Sequence, residues 1–292
     1  MISDFSMIYS NLTAEEIKNL NKEHLVVVFP IGSIEQHGAH LPVDTDSRIV
    51  EAIAKKAESK APDKIVTLPV LSYGVAGAGY PGSLTVFDRE FKQVILDVAK
   101  SILEEGFKKI FFLNGHGGNQ SYVEDIATDL NVDFPYAATI PLYLSGKRGT
   151  QALRKIGFKY WIRHADEIET SLMLAIDEGA VKKDKIVDEV GPLKTKDYKP
   201  FDEGALKLFL PWEYESKSGV YGEPSKATKE IGEFLLDEAT EELLDIITQF
   251  EKITKKIEKI ELAKQSEVNN QPTQAAPNES PVSKNGESQN NS

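Results

Sequence analysis

Histidine and carboxylate side chains gather in three short segments of the chain. They are GSIEQHGAHLPVDTD (residues 32–46), NGHGGN (residues 114–119) and HADEIETS (residues 164–171). Four of the five histidines lie in these segments. A single histidine is more often a hydrogen-bonded core or surface residue than a ligand. Four of them beside carboxylates, on loops that follow predicted strands, indicate a metal site.

The available ligand types narrow the chemistry of such a site. The chain contains no cysteine, so any metal is held by His, Asp and Glu, and both thiolate zinc sites and disulfide scaffolds are excluded. Imidazole and carboxylate ligands suit Zn, Mn, Fe or Co and disfavour a purely structural zinc. Divalent ions held in this way activate water for hydrolysis at neutral pH. We therefore predict a metal-dependent hydrolase.

Composition excludes several classes of partner. The 292 residues include 34 Lys and Arg against 46 Asp and Glu, a formal net charge of −12. Such an acidic chain has no general attraction for nucleic acid or for anionic lipid. The N-terminus carries early acidic residues and no unbroken apolar stretch, so we expect no signal peptide there. No window approaches the roughly 18 apolar residues of a membrane span. We expect a soluble, cytoplasmic protein with a small-molecule substrate.

Apolar periodicity predicts strands and helices that alternate along the chain. Strands are predicted at residues 25–31, 64–70, 109–113 and 136–144, and helices at 46–60, 88–105, 120–130 and 167–177. This alternation is typical of βαβ units. It predicts an α/β fold with a single domain and a mostly parallel sheet that has helices on both faces. Ligands bind beyond the carboxyl ends of such strands, where the polar segments lie.

The C-terminal region differs from the rest. Apolar residues recur at spacings of three and four from about Ala227 to Leu262, which predicts a long amphipathic helix. That helix packs either on its own domain or on another subunit. From about Gln265 the sequence is rich in Asn, Gln, Ser and Pro, which predicts a disordered tail. We expect a catalytic domain over residues 1–262 and a tail over residues 263–292.

The three segments, in this order, resemble the signature motifs of the creatininase (creatinine amidohydrolase) family over about residues 25–180. The resemblance implies a single α/β domain, a binuclear metal centre and a homo-oligomer, usually a hexamer built as a trimer of dimers. It places Glu35, Asp46 and His116 on one ion. It places His37 and Asp46 on the other, so that the Asp46 carboxylate bridges both ions.

One position departs from creatininase proper. There, the residue two after the NGH histidine is a glutamate that binds the second ion, and here it is Gly118. The chain is more similar to the branch that carries NGHGGN, in which Glu169 is the natural replacement ligand. Three carboxylates and two neutral imidazoles against two divalent ions leave one positive charge, which a bridging hydroxide neutralises. Two ions lower the pKa of a shared water to about 7 or below.

The implied reaction is hydrolysis of an amide-like C–N bond, which needs a group that moves protons. His164 is our candidate for protonating the leaving nitrogen, because an unperturbed histidine titrates near neutral pH. It could instead hydrogen-bond a ligand carboxylate, and Glu167 is the alternative proton carrier. The aromatic candidates for the substrate pocket, which could instead be core residues, are Tyr73, Trp161 and Trp212. The candidates for binding a substrate phosphate are Arg48, Arg148 and Arg163.

The expected substrate is a small molecule with a non-peptide amide bond. Deformylation of a formamidopyrimidine ribonucleotide, in flavin or deazaflavin biosynthesis, is the first specific hypothesis, because the NGHGGN branch resembles archaeal deformylases of this kind. The alternatives are a cyclic amidase of the creatininase type, a small-peptide metallopeptidase, and a non-catalytic binding protein of the same fold. Every proposed ligand position holds a competent residue, which favours an enzyme. The cofactors would be two divalent ions: Zn, Fe(II) or Mn.

Overall fold

Strands and helices alternate through the first half of the chain, as predicted. The computed structural model describes residues 7–77, 81–133, 136–158, 162–189 and 216–269. The strands are β1 (Val26–Ile31), β2 (Ile65–Thr67), β3 (Lys109–Asn114) and β4 (Ala137–Ile140). The α-helices are α1 (Ala14–Asn19), α2 (Thr45–Lys60), α3 (Asp88–Glu104), α4 (Gln120–Asp133), α5 (Lys147–Lys155), α6 (Glu167–Ile176) and α7 (Lys229–Asn269).

The four strands form one parallel sheet in the order β2-β1-β3-β4. β1 and β3 lie side by side from Val26 opposite Lys109 to Ile31 opposite Asn114. The strand that follows β1 lies on one side of this pair, and the strand that follows β3 lies on the other. The connections that leave β1 and β3 therefore run to opposite sides of the sheet. Open α/β sheets form their binding crevice between two such strands.

Helices cover both faces of the sheet, which confirms the predicted α/β fold. Alternate residues of the strands point to opposite faces. Val26 and Val28 join a buried cluster with α2, α5, α6 and the part of α7 up to Phe250. Val27 and Phe29 join a second cluster with α3 and α4. All six residues of β1 are buried, which explains why the strand reads as a continuous apolar run.

Two strands are shorter than predicted, and two helices were not predicted. β4 ends at Ile140, before Pro141, and the chain then turns so that the Ser145 nitrogen donates to the Leu142 oxygen at 3.1 Å. Proline has no N–H with which to continue the ladder, and Pro69 likewise follows the short β2. The sequence of α5 is mostly polar, and α1 has only six residues, so neither gives a clear apolar period.

The C-terminal helix α7 continues past its predicted end near Leu262 and runs to Asn269. The chain divides into one unit over residues 1–251 and a second over residues 252–292. Residues 270–292 lie outside the described residues, so the disordered tail stays a prediction. Among the described residues, no helix combines the length and apolar character needed to cross a lipid bilayer.

Candidate metal centre

The five predicted ligands meet at the carboxyl edge of the sheet. Glu35 and His37 follow β1, Asp46 lies in the first turn of α2, His116 follows β3, and Glu169 lies in the first turn of α6. All five side chains are buried. Their nitrogen and oxygen atoms form groups whose members lie within 4.8 Å of one another: Glu35 with Asp46 and His116, His37 with Asp46 and Glu169, and Glu35 with His37 and His164.

Asp46 lies between two of these groups. Its Oδ2 is 2.9 Å from His116 Nδ1, and the same nitrogen is 3.3 Å from Glu35 Oε2. Its Oδ1 is 3.2 Å from His37 Nε2, and that nitrogen is 3.6 Å from Glu169 Oε2. The two oxygens of the Asp46 carboxylate thus face different groups: Oδ2 faces His116 and Oδ1 faces His37. A carboxylate in this position can be shared by two cations.

Backbone carbonyls orient both histidine rings. His37 Nδ1 lies 3.0 Å from the Glu35 oxygen, and His116 Nε2 lies 3.1 Å from the Val75 oxygen. A carbonyl oxygen only accepts, so each of these outer nitrogens donates its proton to the backbone. The inner nitrogens, His37 Nε2 and His116 Nδ1, are thereby turned toward the carboxylates. Metal-ligating histidines are commonly held in this way.

The residues present fit divalent cations. His37 Nε2 is buried, and its contacts with Asp46 Oδ1 at 3.2 Å and Glu169 Oε2 at 3.6 Å lack the alignment of hydrogen bonds. Burial by itself would lower the pKa of His37, but the negative charges of Asp46 and Glu169 raise it to about 10. In the same way, the charges of Glu35 and Asp46 overcome burial and raise the pKa of His116 to about 9. The pocket therefore attracts positive charge at the positions that cations would take.

Neighbouring groups fix the carboxylates. Each accepts a hydrogen bond: Asp46 Oδ2 from Ser33 Oγ at 2.7 Å, Glu35 Oε1 from the Gly77 nitrogen at 3.1 Å, and Glu169 Oε2 from the Ala165 nitrogen at 2.6 Å. The sequence analysis missed all three donors. Two are backbone groups that carry no sequence signal, and the only signal for Ser33 is its place within the GSIEQH motif.

His164 lies beside Glu35 and His37. Its Nδ1 lies 3.6 Å from Glu35 Oε2, and its ring centroid lies 4.4 Å from that of His37. On its other side, Nε2 lies 2.6 Å from the Gln36 backbone oxygen and 3.0 Å from Gln36 Nε2. Burial, followed by the positive charge of His37, lowers the pKa of His164 well below its ordinary value. Because the Gln36 carbonyl oxygen only accepts, Nε2 carries the proton and the lone pair on Nδ1 faces the cluster.

Glu167 is not brought into the cluster. Its Oε2 accepts a hydrogen bond from the Glu223 nitrogen at 2.8 Å, and its side chain is partly exposed. Within the described chain, none of the potential ligand groups includes it. The first turn of α6 instead directs Glu169 inward, because Asp166 caps the helix and its Oδ1 accepts from the Glu169 nitrogen at 3.0 Å.

The remaining candidates lie apart from the ligand groups or outside the described residues. Tyr73 is 55% exposed, and Trp161 and Trp212 fall outside the described residues. Two arginines are held by carboxylates and the third lies over an aromatic ring: Arg48 contacts Asp44 and Asp177, Arg148 contacts Asp245 and Glu238, and Arg163 lies 5.0 Å from the Tyr221 ring centroid. His40 Nε2 is 2.9 Å from Thr170 Oγ1, a contact typical of a supporting residue.

Glu189 anchors the segment that pairs with His164. Its carboxylate accepts hydrogen bonds from the Ser216 and Ser218 hydroxyls and from the backbone nitrogens of Lys217 and Ser218, the latter two at 2.8 and 2.7 Å. A few residues on, the Tyr221 nitrogen donates to the His164 oxygen at 2.8 Å. Burial alone would raise the pKa of Glu189, but these hydrogen bonds outweigh it and lower the pKa to about 2.

We expect Glu189→Gln to lower the free energy of unfolding by about 1 kcal/mol at neutral pH. The single amide oxygen accepts fewer hydrogen bonds, and the figure is small because the carboxylate is partly exposed. A lowered pKa stabilises the fold fully above the ordinary value of 4.5, and the contribution fades as the pH falls toward 2. In urea titrations, the difference from wild type should therefore shrink between pH 7 and pH 3. An equal difference at both values would show that the carboxylate's charge plays no part.

Comparison with known proteins gives consistent matches. The creatininase family model, described as creatinine amidohydrolase, matches residues 10–247. The mycofactocin precursor peptide peptidase of Mycolicibacterium smegmatis is 26% identical over 249 residues, which cover 83% of this chain and 92% of that protein. The 2-amino-5-formylamino-6-ribosylaminopyrimidin-4(3H)-one 5'-monophosphate deformylase of Methanocaldococcus infernus is 25% identical over 246 residues, with coverage of 78% and 93%. A solved structure described as "Creatininase Mn" has a TM-score of 0.69 at 24% identity and covers 84% of this chain and 98% of that one.

Proposed function

This chain belongs to the creatininase family, and we propose that it is a hydrolase that holds two divalent ions and cleaves the C–N bond of a small-molecule amide. The observation that carries the proposal is the position of Asp46. Its two oxygens lie 2.9 Å from His116 Nδ1 and 3.2 Å from His37 Nε2, so that one carboxylate serves two ligand groups.

The proposed ligands divide between two positions. Glu35, Asp46 and His116 would hold one ion, and His37, Asp46 and Glu169 would hold the other. Their donor types suit Zn, Fe(II) or Mn, and a creatininase of similar fold is described as a Mn form. Bound there, divalent ions would polarise a carbonyl group and lower the pKa of water to about 7.

His164 is the proposed proton carrier. Its Nε2 donates to the Gln36 backbone oxygen, so the lone pair is on Nδ1, which faces the cluster. Nδ1 can therefore accept a proton from the attacking water and deliver it to the leaving nitrogen. The contact between Nε2 and the Gln36 oxygen keeps the ring in place during both transfers.

The proposed substrate is a formamide, and deformylation of a formamidopyrimidine ribonucleotide is the first candidate. The deformylase of Methanocaldococcus infernus supports it, since the match extends over nearly its whole length. A peptidase activity is the second candidate, because the mycofactocin precursor peptide peptidase matches equally fully. By family resemblance, we also propose that the protein assembles as a homo-oligomer.

The test is metal-dependent turnover on three kinds of amide. Protein stripped with a chelator and reloaded with Zn, Mn or Fe(II) should release formate from a formamidopyrimidine nucleotide, and the stripped protein should not. Creatinine and short peptides serve as parallel substrates, scored by ring opening and by release of free amines. Amine release without formate release would assign the peptidase instead. No metal-dependent turnover of any of the three would overturn the proposal.

A further inference from the structure

A short irregular segment, residues 74–77, contacts two of the proposed ligands through its backbone. The Val75 oxygen accepts from His116 Nε2 at 3.1 Å, and the Gly77 nitrogen donates to Glu35 Oε1 at 3.1 Å. These two ligands belong to the same group of potential metal-binding side chains. The position of the segment therefore bears on one of the two proposed ions.

Asn119 attaches this segment to the end of β1. The residue is fully buried, and its Oδ1 accepts from the Val75 nitrogen at 2.9 Å. From the other side of the same amide, Nδ2 donates to the Gly32 oxygen at 2.9 Å. Gly32 directly follows β1 and lies three residues before Glu35. One side chain thus joins the segment to the stretch of chain that carries a ligand.

The residue types at this attachment suit its geometry. An amide offers a donor and an acceptor at once, whereas an aspartate at position 119 would place a second acceptor against the Gly32 oxygen. The two chains also approach closely, because a Cβ at Gly74 would lie 2.6 Å from Asn119 Oδ1 and 2.6 Å from the Gly32 oxygen. Glycine at position 74 therefore leaves the space that the asparagine amide occupies.

We propose that Asn119 is a positioning residue for one metal position, the one that includes His116 and Glu35. Its amide keeps residues 74–77 in place, so that the backbone of this segment holds the histidine ring and the glutamate carboxylate in their ligating orientations. The inference rests on the proposed function, since it needs both side chains to be ligands. It gives the last residue of the NGHGGN motif a role of its own.

Metal affinity, measured on the full chain, tests the inference without an enzyme assay. Chelator-stripped wild type and Asn119→Ala are titrated with Zn and with Mn in competition with a chromophoric chelator. We expect one of the two binding steps to weaken by about ten- to a hundredfold, the range typical of lost outer-shell partners. Glu35→Ala and Glu169→Ala identify the steps, since each removes a ligand from one ion alone. The weakened step should be the one that Glu35→Ala abolishes.

Asn131→Ala is the matched control. Asn131 lies on α4, and its amide also joins two backbone groups: Oδ1 accepts from the Ala137 nitrogen at 3.0 Å, and Nδ2 donates to the Ala137 oxygen at 3.2 Å. Each alanine variant loses two hydrogen bonds, so both should melt below wild type in the metal-free state. Only Asn119→Ala should lose metal affinity. Equal losses of affinity in the two variants would show general destabilisation and overturn the inference.

Gly74→Ala tests the same attachment while it keeps the asparagine, which matters if Asn119→Ala does not fold. The new Cβ would crowd the amide and should weaken the same binding step. In the double variant, the loss of affinity should be smaller than the product of the two single losses, because both changes disrupt one contact. Single losses that multiply, or a Gly74→Ala variant with both steps unchanged, would contradict the proposed role.

The two proposals fail in different ways. Wild-type protein that binds no ion would sink the proposed function and the inference together. Two ions bound as tightly by Asn119→Ala as by wild type would overturn the inference alone, whatever the variant does to turnover.

Discussion

We expect Asp46→Ala to lose both divalent ions and to lower metal-dependent turnover by at least about a thousandfold. Each ligand group would keep only two of its three side chains, because the Asp46 oxygens face His116 and His37 separately. Lewis-acid stabilisation of the transition state is worth several kcal/mol, and about 1.4 kcal/mol corresponds to a factor of ten in rate. Metal content per chain after gel filtration, followed by turnover with excess metal, measures both effects.

Asp44→Ala is the matched control for this substitution. Asp44 lies two residues away, and its partly exposed carboxylate binds Arg48 at 2.8 Å rather than the cluster. It should retain both ions and the wild-type rate. Loss of a single ion in Asp46→Ala would mean that the carboxylate is not shared, and retention of both would refute the proposed centre.

Gly118→Ala should lower turnover by about a hundredfold and release the ion assigned to His116. A Cβ at this position would lie 2.4 Å from the Val75 oxygen and 2.5 Å from His116 Nε2. These two atoms form the contact that orients the His116 ring, so the ring or the Val75 backbone must move. A displacement of about 1 Å at a catalytic site can cost a factor of a hundred.

The neighbouring Gly117 provides the control. Apart from its chain neighbours, no atom of the described residues lies within 4 Å of a Cβ built there, so Gly117→Ala should retain metal and activity. Equal metal content and turnover in the two alanine variants would show that crowding at residue 118 is unimportant.

The same crowding at residue 118 explains why a glutamate ligand is not accommodated at this position. It leaves Glu169, on α6, as the carboxylate beside His37.

The main elements could be predicted because their signals are local. β1 and β3 are continuous apolar runs, and α2, α3 and α6 begin within a residue of where their apolar period starts. The likeness of three motifs to one family supplied the ligand set, and the parallel pairing of β1 with β3 brings two of those motifs together. Both sources of information are carried by short stretches of sequence.

Other parts of the site could not be predicted because they depend on contacts between distant residues. Leu144 lies on a turn after a strand that ends early, and both Leu144 and Ala165 adopt positive φ values although neither is glycine. Glu167 and Glu169 are two residues apart in one motif. Only the cap at Asp166 and the packing of α6 determine that Glu169 faces the cluster while Glu167 meets the Glu223 nitrogen.

The Glu189 anchor bears on how such a protein can change its substrate during evolution. Residues 190–215 lie outside the described residues, and the residues that bound them are joined by the hydrogen bond from the Ser216 hydroxyl to the Glu189 carboxylate. The intervening sequence can therefore change in length or composition while Glu189 and Ser216 stay joined. Such changes in the connection would explain why relatives of this chain carry the names of both a peptidase and a deformylase.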